Sequence, residues 1–206
     1  MNIKKKYSPK IFFIGYNKTA TTAFHKFFLD NNYKSLHNKK NKKNLAVVLK
    51  SNIENNLPIL HLIDDAHCYS DLMYVDNSEY IEGHKYFKEI FNEYSNSYYV
   101  LQTRNLEDWI KSRLCHTGTQ SLLARTKSAK KLSHTDEVIE FWLEDIQNHI
   151  KEVKKFFYGN NKFLEYNIDN DNITKLVRFL KHDYMLNETK WKKHNVSRRS
   201  KNYRIN

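Results

Sequence analysis

The chain has 206 residues, 40% hydrophobic and 28% charged, with a net charge of +12 and a pI of about 9.5. That length supports one domain with a proper core, and no apolar run approaches the ~20 residues of a bilayer crossing, so a membrane-spanning class is excluded. The charge favours an anionic partner such as a nucleotide, a nucleic acid or an acidic glycan. An A/T-rich coding bias toward Lys, Asn, Ile, Tyr and Phe would produce the same excess, so charge alone selects none of them.

In chain order, the basic start "MNIKKKYSPK" precedes an apolar run of about five residues, shorter than the ~7–15 of a secretory signal core, and a cytoplasmic location is expected. "KIFFIG" is a short continuous apolar run ending at Gly15, the pattern of a strand buried on both faces. "TTAFHKFFLDNN" places Ala23, Phe24, Phe27 and Phe28 at helical spacing. "YKSLH" reads as a second strand, "NKKNKKN" as a solvated loop, "LAVVLKSNIENN" as a helix and "LPILHLID" as a third strand. "GHKYFKEIFNEY" is amphipathic, and "SYYVLQTR" is a strand by its aromatic and β-branched residues. "NLEDWIKSRL" opens on an Asn in N-cap position with acids in the first turn. Residues 115–132 are polar and basic and read as a mobile loop or lid. "HTDEVIEFWLEDIQNHIKEVKKFF" is the longest helix, followed by the strand "KFLEYNI", the helix "NITKLVRFLKH" and a basic tail, 192–206.

Strands alternating with helices predict an α/β fold: a three-layer, mostly parallel central sheet with helices on both faces, in a single domain spanning 1–206. Cys68 and Cys115 lie far apart without a CxxC, which fits a reducing compartment and points to neither a disulfide framework nor a zinc site.

Two segments carry chemistry. The first is "GYNKTATT", Gly15 to Thr22, at a strand-to-helix turn. Free backbone N–H groups and the helix dipole converge there, a natural anion site. The hydroxyls of Thr19, Thr21 and Thr22 and the ammonium of Lys18 add to it. A triphosphatase P-loop, GxxxxGK[ST] laid on Gly15, needs glycine at Ala20 and lysine at Thr21, and only Thr22 fits. The second segment has Arg104 just past a strand, the edge where α/β folds bind ligands, with Ser112 eight residues later on the next helix. An arginine fork and a serine hydroxyl suit one phosphate.

Together the two segments resemble the PAPS-dependent sulfotransferases, closest to a branch of small microbial and viral sulfotransferase-like proteins (PAPS is 3′-phosphoadenosine 5′-phosphosulfate). Lys18-Thr19-Ala20-Thr21-Thr22 stands where the family has Lys-[Ser/Thr]-Gly-Thr-Thr, and Arg104-Asn105 through Ser112 stands for its 3′-phosphate motif. The resemblance implies a P-loop nucleotide-hydrolase-like fold and sulfuryl transfer from PAPS to a hydroxyl or amine of a small molecule or glycan, leaving adenosine 3′,5′-bisphosphate. It implies no metal and no nucleic-acid partner. Lys18 would stabilise the leaving group, with Gly15 and Thr19 to Thr22 on the 5′-phosphate and Arg104 and Ser112 on the 3′-phosphate. Arg198 and Arg199 would add contacts from the tail. A general base is expected within or near "LHLIDDAHCYSDL", with Asp71 first, His67 second and His37 as a further candidate. Ala20 departs from the family's glycine: either its backbone is right-handed and tolerates a β-carbon, or the loop is altered. The competing readings are a P-loop nucleotide or nucleoside kinase and a non-catalytic polyanion or nucleic-acid binder.

Overall fold

The computed structural model describes residues 9–116 and 121–192. Nine strands are described: β1 (Ile11–Phe13), β2 (Ser35–His37), β3 (Lys39–Lys40), β4 (Lys43–Asn44), β5 (Cys68–Ser70), β6 (Met73–Val75), β7 (Tyr80–Glu82), β8 (Tyr98–Thr103) and β9 (Phe163–Asn167). The α-helices are α1 (Thr21–Asp30), α2 (Leu45–Glu54), α3 (Phe87–Glu93), α4 (Leu106–Leu114), α5 (Leu122–Lys130), α6 (Thr135–Phe156) and α7 (Ile173–Leu180). A 3-10 turn at Gly83–Tyr86 leads into α3.

Seven strands form one sheet in the order β4-β3-β2-β5-β1-β8-β9, and the five from β2 to β9 run parallel. β1 is central, with Ile11 and Phe12 level with Cys68 and Tyr69 of β5, and Phe13 level with Val100 of β8. Because strand side chains alternate, Ile11 and Phe13 pack on one face with α1 and α7. Phe12 and Ile14 pack on the other with α2, α3 and α6. All four side chains are fully buried, as the continuous apolar run requires. A third cluster joins Tyr16, Trp109 and Trp142 beneath the β6–β7 hairpin and helices α4, α5 and α6. The expected three-layer parallel α/β architecture is therefore the one observed.

Three local expectations are corrected. "LPILHLID" is a series of turns, and the third parallel strand begins later, at Cys68. Pro58 has no N–H for a ladder, the Ile59 N–H is taken by the Glu93 carboxylate at 2.8 Å, and Leu62 turns outward at φ 71. "NKKNKKN" is a small hairpin, with Lys40 opposite Lys43 and both turn residues, Asn41 and Lys42, at positive φ. Within 115–132, expected as a loop, residues 122–130 are the helix α5, whose start is capped by the Ser121 hydroxyl accepting from the Ala124 N–H.

Candidate functional site

The loop after β1 runs from Gly15 to Ala20, and its shape is set by close contacts. The Gly15 N–H donates to Gln102 Oε1 at 3.0 Å, and a β-carbon on Gly15 would stand 2.3 Å from the Gln102 carbonyl oxygen. Only glycine permits that approach to β8. The Tyr16 carbonyl accepts from the Thr19 hydroxyl, and the Asn17 carbonyl accepts from Trp109 Nε1 at 2.9 Å. Lys18 and Ala20 are both left-handed, at φ 66 and φ 63. Of the two conformations open to Ala20 from sequence, the left-handed one is present.

This winding points successive N–H groups inward. Among the described residues, the backbone N–H groups of Lys18, Thr19, Ala20 and Thr21 donate to no protein acceptor. No side-chain oxygen caps the start of α1. A run of free N–H groups at a helix N-terminus is a concave anion site. The Lys18 side chain is half-buried, and burial lowers its pKa; Asp71 opposes that shift and the positive charges of Arg104 and Arg113 add to it.

Arg104 follows β8 and reaches back across the sheet edge. Its Nη1 donates to the Lys18 carbonyl at 3.0 Å, while its Nε is buried without a protein partner. The following helix is fixed to the same loop by Trp109. Its start is capped by the Asn105 side chain, which accepts from the Asp108 N–H at 3.1 Å. Ser112 lies half-buried on α4, three residues beyond Trp109, with no protein hydrogen bond among the described residues. The structure thus brings Gly15, Lys18, Thr19, Ala20, Thr21, Thr22 and Arg104 to one sheet edge, with Ser112 on the helix that leaves it.

Asp71 joins them from the other side. It follows β5 at φ 55, beside the end of β1. Burial pushes its pKa up to about 6, against the hydrogen bond from Asn38 and the charges of Lys18 and Arg113. Its Oδ2 lies 3.8 Å from His37 Nε2. His37 also reaches Thr22 Oγ1 at 3.3 Å and Ser70 Oγ at 3.1 Å, stacks on His25, and is pushed down to about 4 by burial. It is therefore neutral at pH 7.

His67 is not with this group. Its carbonyl accepts from the Ile11 N–H at the beginning of β1, and its ring packs edge-on against Tyr33. Because β1 and β5 are parallel, a residue preceding β5 stands at the opposite end of the sheet from a loop that follows β1. Asp64 and Asp65 stand at that far end too, paired with Lys10, Lys34 and Lys40. Arg198 and Arg199 lie outside the described residues.

Sequence reading passed over Arg113. It is fully buried, its guanidinium lies 4.6 Å from the Trp109 ring and 4.3 Å from that of Trp142, and its Nη2 donates to Tyr80 Oη at 3.0 Å. Its Nε and Nη1 have no protein partner. The signal was present: Trp109 and Arg113 are four apart, so they share a helix face.

No family model matches the chain, and no curated protein matches it. Among solved structures it is similar to the crystal structure of a sulfotransferase from Alicyclobacillus acidocaldarius, with a TM-score of 0.51 and 12% identity over 88% of this chain and 85% of that one. At that identity the likeness is one of fold, and the chain has a sulfotransferase-like fold.

Proposed function

We propose that this protein is a sulfotransferase that takes a sulfuryl group from PAPS and passes it to a hydroxyl or amine. The observation that carries the reading is the 3.0 Å bond from Arg104 to the Lys18 carbonyl, which joins two cation-bearing segments 86 residues apart into one site. A nucleotide with phosphates at both its 5′ and 3′ ends fits that arrangement. The free N–H groups of Lys18 to Thr21 suit one end, with the Thr19 hydroxyl tied to the Tyr16 carbonyl so that it holds the loop's shape. The unpartnered Nε of Arg104 and the unbonded hydroxyl of Ser112 suit the other. The similarity in fold to a sulfotransferase supports the same assignment.

When bound, PAPS supplies an activated sulfuryl group, and its departure leaves adenosine 3′,5′-bisphosphate. The protein's share is alignment and charge. Lys18 neutralises negative charge at the 5′ end. Its depressed pKa means that the ammonium is poorly solvated, so a nearby anion stabilises it more than it would a solvated lysine. Asp71 is the base, taking the proton of the acceptor hydroxyl or amine. Its pKa, raised to about 6, is still below neutral pH, so it is mostly ionised there while being more basic than an ordinary aspartate. His37, neutral and bonded to Ser70, orients Thr22 beside it.

The experiment is incubation with radiolabelled PAPS and pools of small alcohols, phenols, amines and glycans. Label moves to an acceptor with the wild-type chain and stays on the donor with Lys18→Ala. Transfer no greater than that of Lys18→Ala in every pool would reject the reading.

A further inference from the structure

Beneath the phosphate loop lies a buried acid pair with a single cation. Glu82 ends β7, Asp145 is in the middle of α6, and their carboxyl groups stand within hydrogen-bonding reach of each other. Their side chains are only 8% and 14% exposed. Lys85 reaches Glu82 Oε2 at 2.7 Å and also Asp145 Oδ1. The Tyr16 hydroxyl donates to Asp145 Oδ2 at 2.6 Å. Glu82 Oε1 is buried and no protein donor reaches it.

Two touching carboxylates out of water, with one ammonium between them, carry an uncompensated charge. A proton on Glu82 removes it and lets the two carboxyl groups share a hydrogen bond. Burial and Asp145 both push the Glu82 pKa upward, while the proton-bearing neighbours Glu82, Lys85 and Tyr16 hold that of Asp145 down despite its burial.

We infer that Glu82 and Asp145 hold one proton between them, and that this proton fixes Tyr16 and through it the phosphate loop. Tyr16 is the link because its two ends do different work. Its hydroxyl is bound to Asp145, and its carbonyl receives the Thr19 hydroxyl inside the loop. Its ring is held between Trp109, His84 and His149, so displacement at Asp145 passes to the backbone. Loss of the proton makes the two carboxylates repel, shifts Asp145 and loosens the loop's hold on an anion.

Other groups face the pair without supplying the proton. His84 and His149 are kept neutral by burial, and the Arg113 guanidinium is engaged with Tyr80. Lys50 is paired with Glu79. An open cleft of about 440 Å³, lined by Lys50, Glu79, Tyr80, Glu82, Lys85 and Tyr86, gives solvent protons access to Glu82.

The inference rests on the loop being an anion site, and three proteins test it: wild type, Glu82→Gln and Tyr16→Phe. Glutamine reproduces the protonated acid, and phenylalanine keeps the ring while removing the link. Thermal melts between about pH 5 and pH 8 need no ligand. The folded pair retains a proton that an unfolded glutamate releases, so the wild-type melting temperature falls with rising pH relative to Glu82→Gln, and that of Tyr16→Phe, which keeps both carboxyl groups, falls too. Affinity for adenosine 3′,5′-bisphosphate then weakens several-fold with rising pH in wild type relative to Glu82→Gln, and Tyr16→Phe shows no such relative weakening. Asp71 and the ligand's own phosphates titrate in all three and cancel.

Parallel melting curves for wild type and Glu82→Gln overturn the shared proton. Wild-type pH dependence of binding in Tyr16→Phe overturns the link. If the bisphosphate binds none of the three, the nucleotide assignment fails instead, and inorganic pyrophosphate as loop ligand reads the same coupling. Failure of pyrophosphate as well overturns both.

Discussion

Ala20 stands at φ 63 and ψ 19, where a β-carbon crowds the following carbonyl. Glycine there would relieve that crowding at some cost in unfolded-chain entropy, a net gain of up to about 1 kcal/mol. Ala20→Gly is therefore expected to raise the melting temperature by roughly 2–4 °C. An unchanged or lower value would mean that the loop does not hold this residue left-handed. Asp71 makes a second prediction. Its folded pKa, about 6, lies above the ordinary aspartate value of 3.8, so the folded state binds the extra proton between the two. Stability consequently falls as pH rises from about 4 to about 6, by up to roughly 2 kcal/mol, and Asp71→Asn flattens that slope. In the transfer assay the same group gives a rate that climbs through about pH 6 and then levels, and Asp71→Asn loses it. A rate independent of pH across that range would remove Asp71 as base. The placement of Lys18, Thr19 to Thr22 and Arg104 at one end of the sheet was legible because each segment directly follows an apolar strand pattern. His37 became prominent only with the fold, since its neighbours come from two other segments, Thr22 from the start of α1 and Ser70 and Asp71 from the end of β5. Arg113 was passed over despite its spacing from Trp109, because the second ring against it, Trp142, comes from a helix distant in sequence.

The element that matters most is the unit of β1, its loop and α1. β1 is short, but all of its side chains are buried, so its end is a fixed platform for the loop. Gly15 is where that platform meets β8. Gly15→Ala drives a β-carbon into the Gln102 carbonyl, a backbone atom that cannot move aside alone. We expect a loss on the order of 1–3 kcal/mol in urea unfolding, as overpacking typically costs. Wild-type stability would contradict the close approach. Most elements were readable: β1, β2, β8, β9, α1, α2, α3, α6 and α7 fall where the residue pattern placed them, and α4 where its Asn105 cap and first-turn acids did. "LPILHLID" failed because Ile59, Leu60 and Ile63 are buried as turn residues, and burial without alternation looks like a strand. α5 was missed because its sequence, LLARTKSAK, buries only Leu122 and Thr126 and so carries little helical pattern. The β6–β7 hairpin was missed because its turn is organised by the Asp76 carboxylate, which accepts from the N–H groups of Ser78 and Glu79 at 2.8 and 2.7 Å.

For the whole molecule, the parallel strands taken in chain order lie in the spatial order 2-3-1-4-5. The chain turns one way after β1 and the other way after β8, so a crevice opens between their ends. The loop after β1 leaves one side of that crevice and Arg104 the other, which is how two segments far apart in sequence come to stand together. The alternation of strands and helices made this architecture legible; the strand order was not, because it depends on which strands pair rather than on where they begin. The central claim is that one nucleotide is held at both phosphate ends, and differential thermal stabilisation tests it most directly. Adenosine 3′,5′-bisphosphate should raise the melting temperature of the wild-type protein well above the shift given by adenosine 5′-monophosphate, and Arg104→Ala should erase the difference. Equal shifts from the two nucleotides in the wild-type protein would contradict the account.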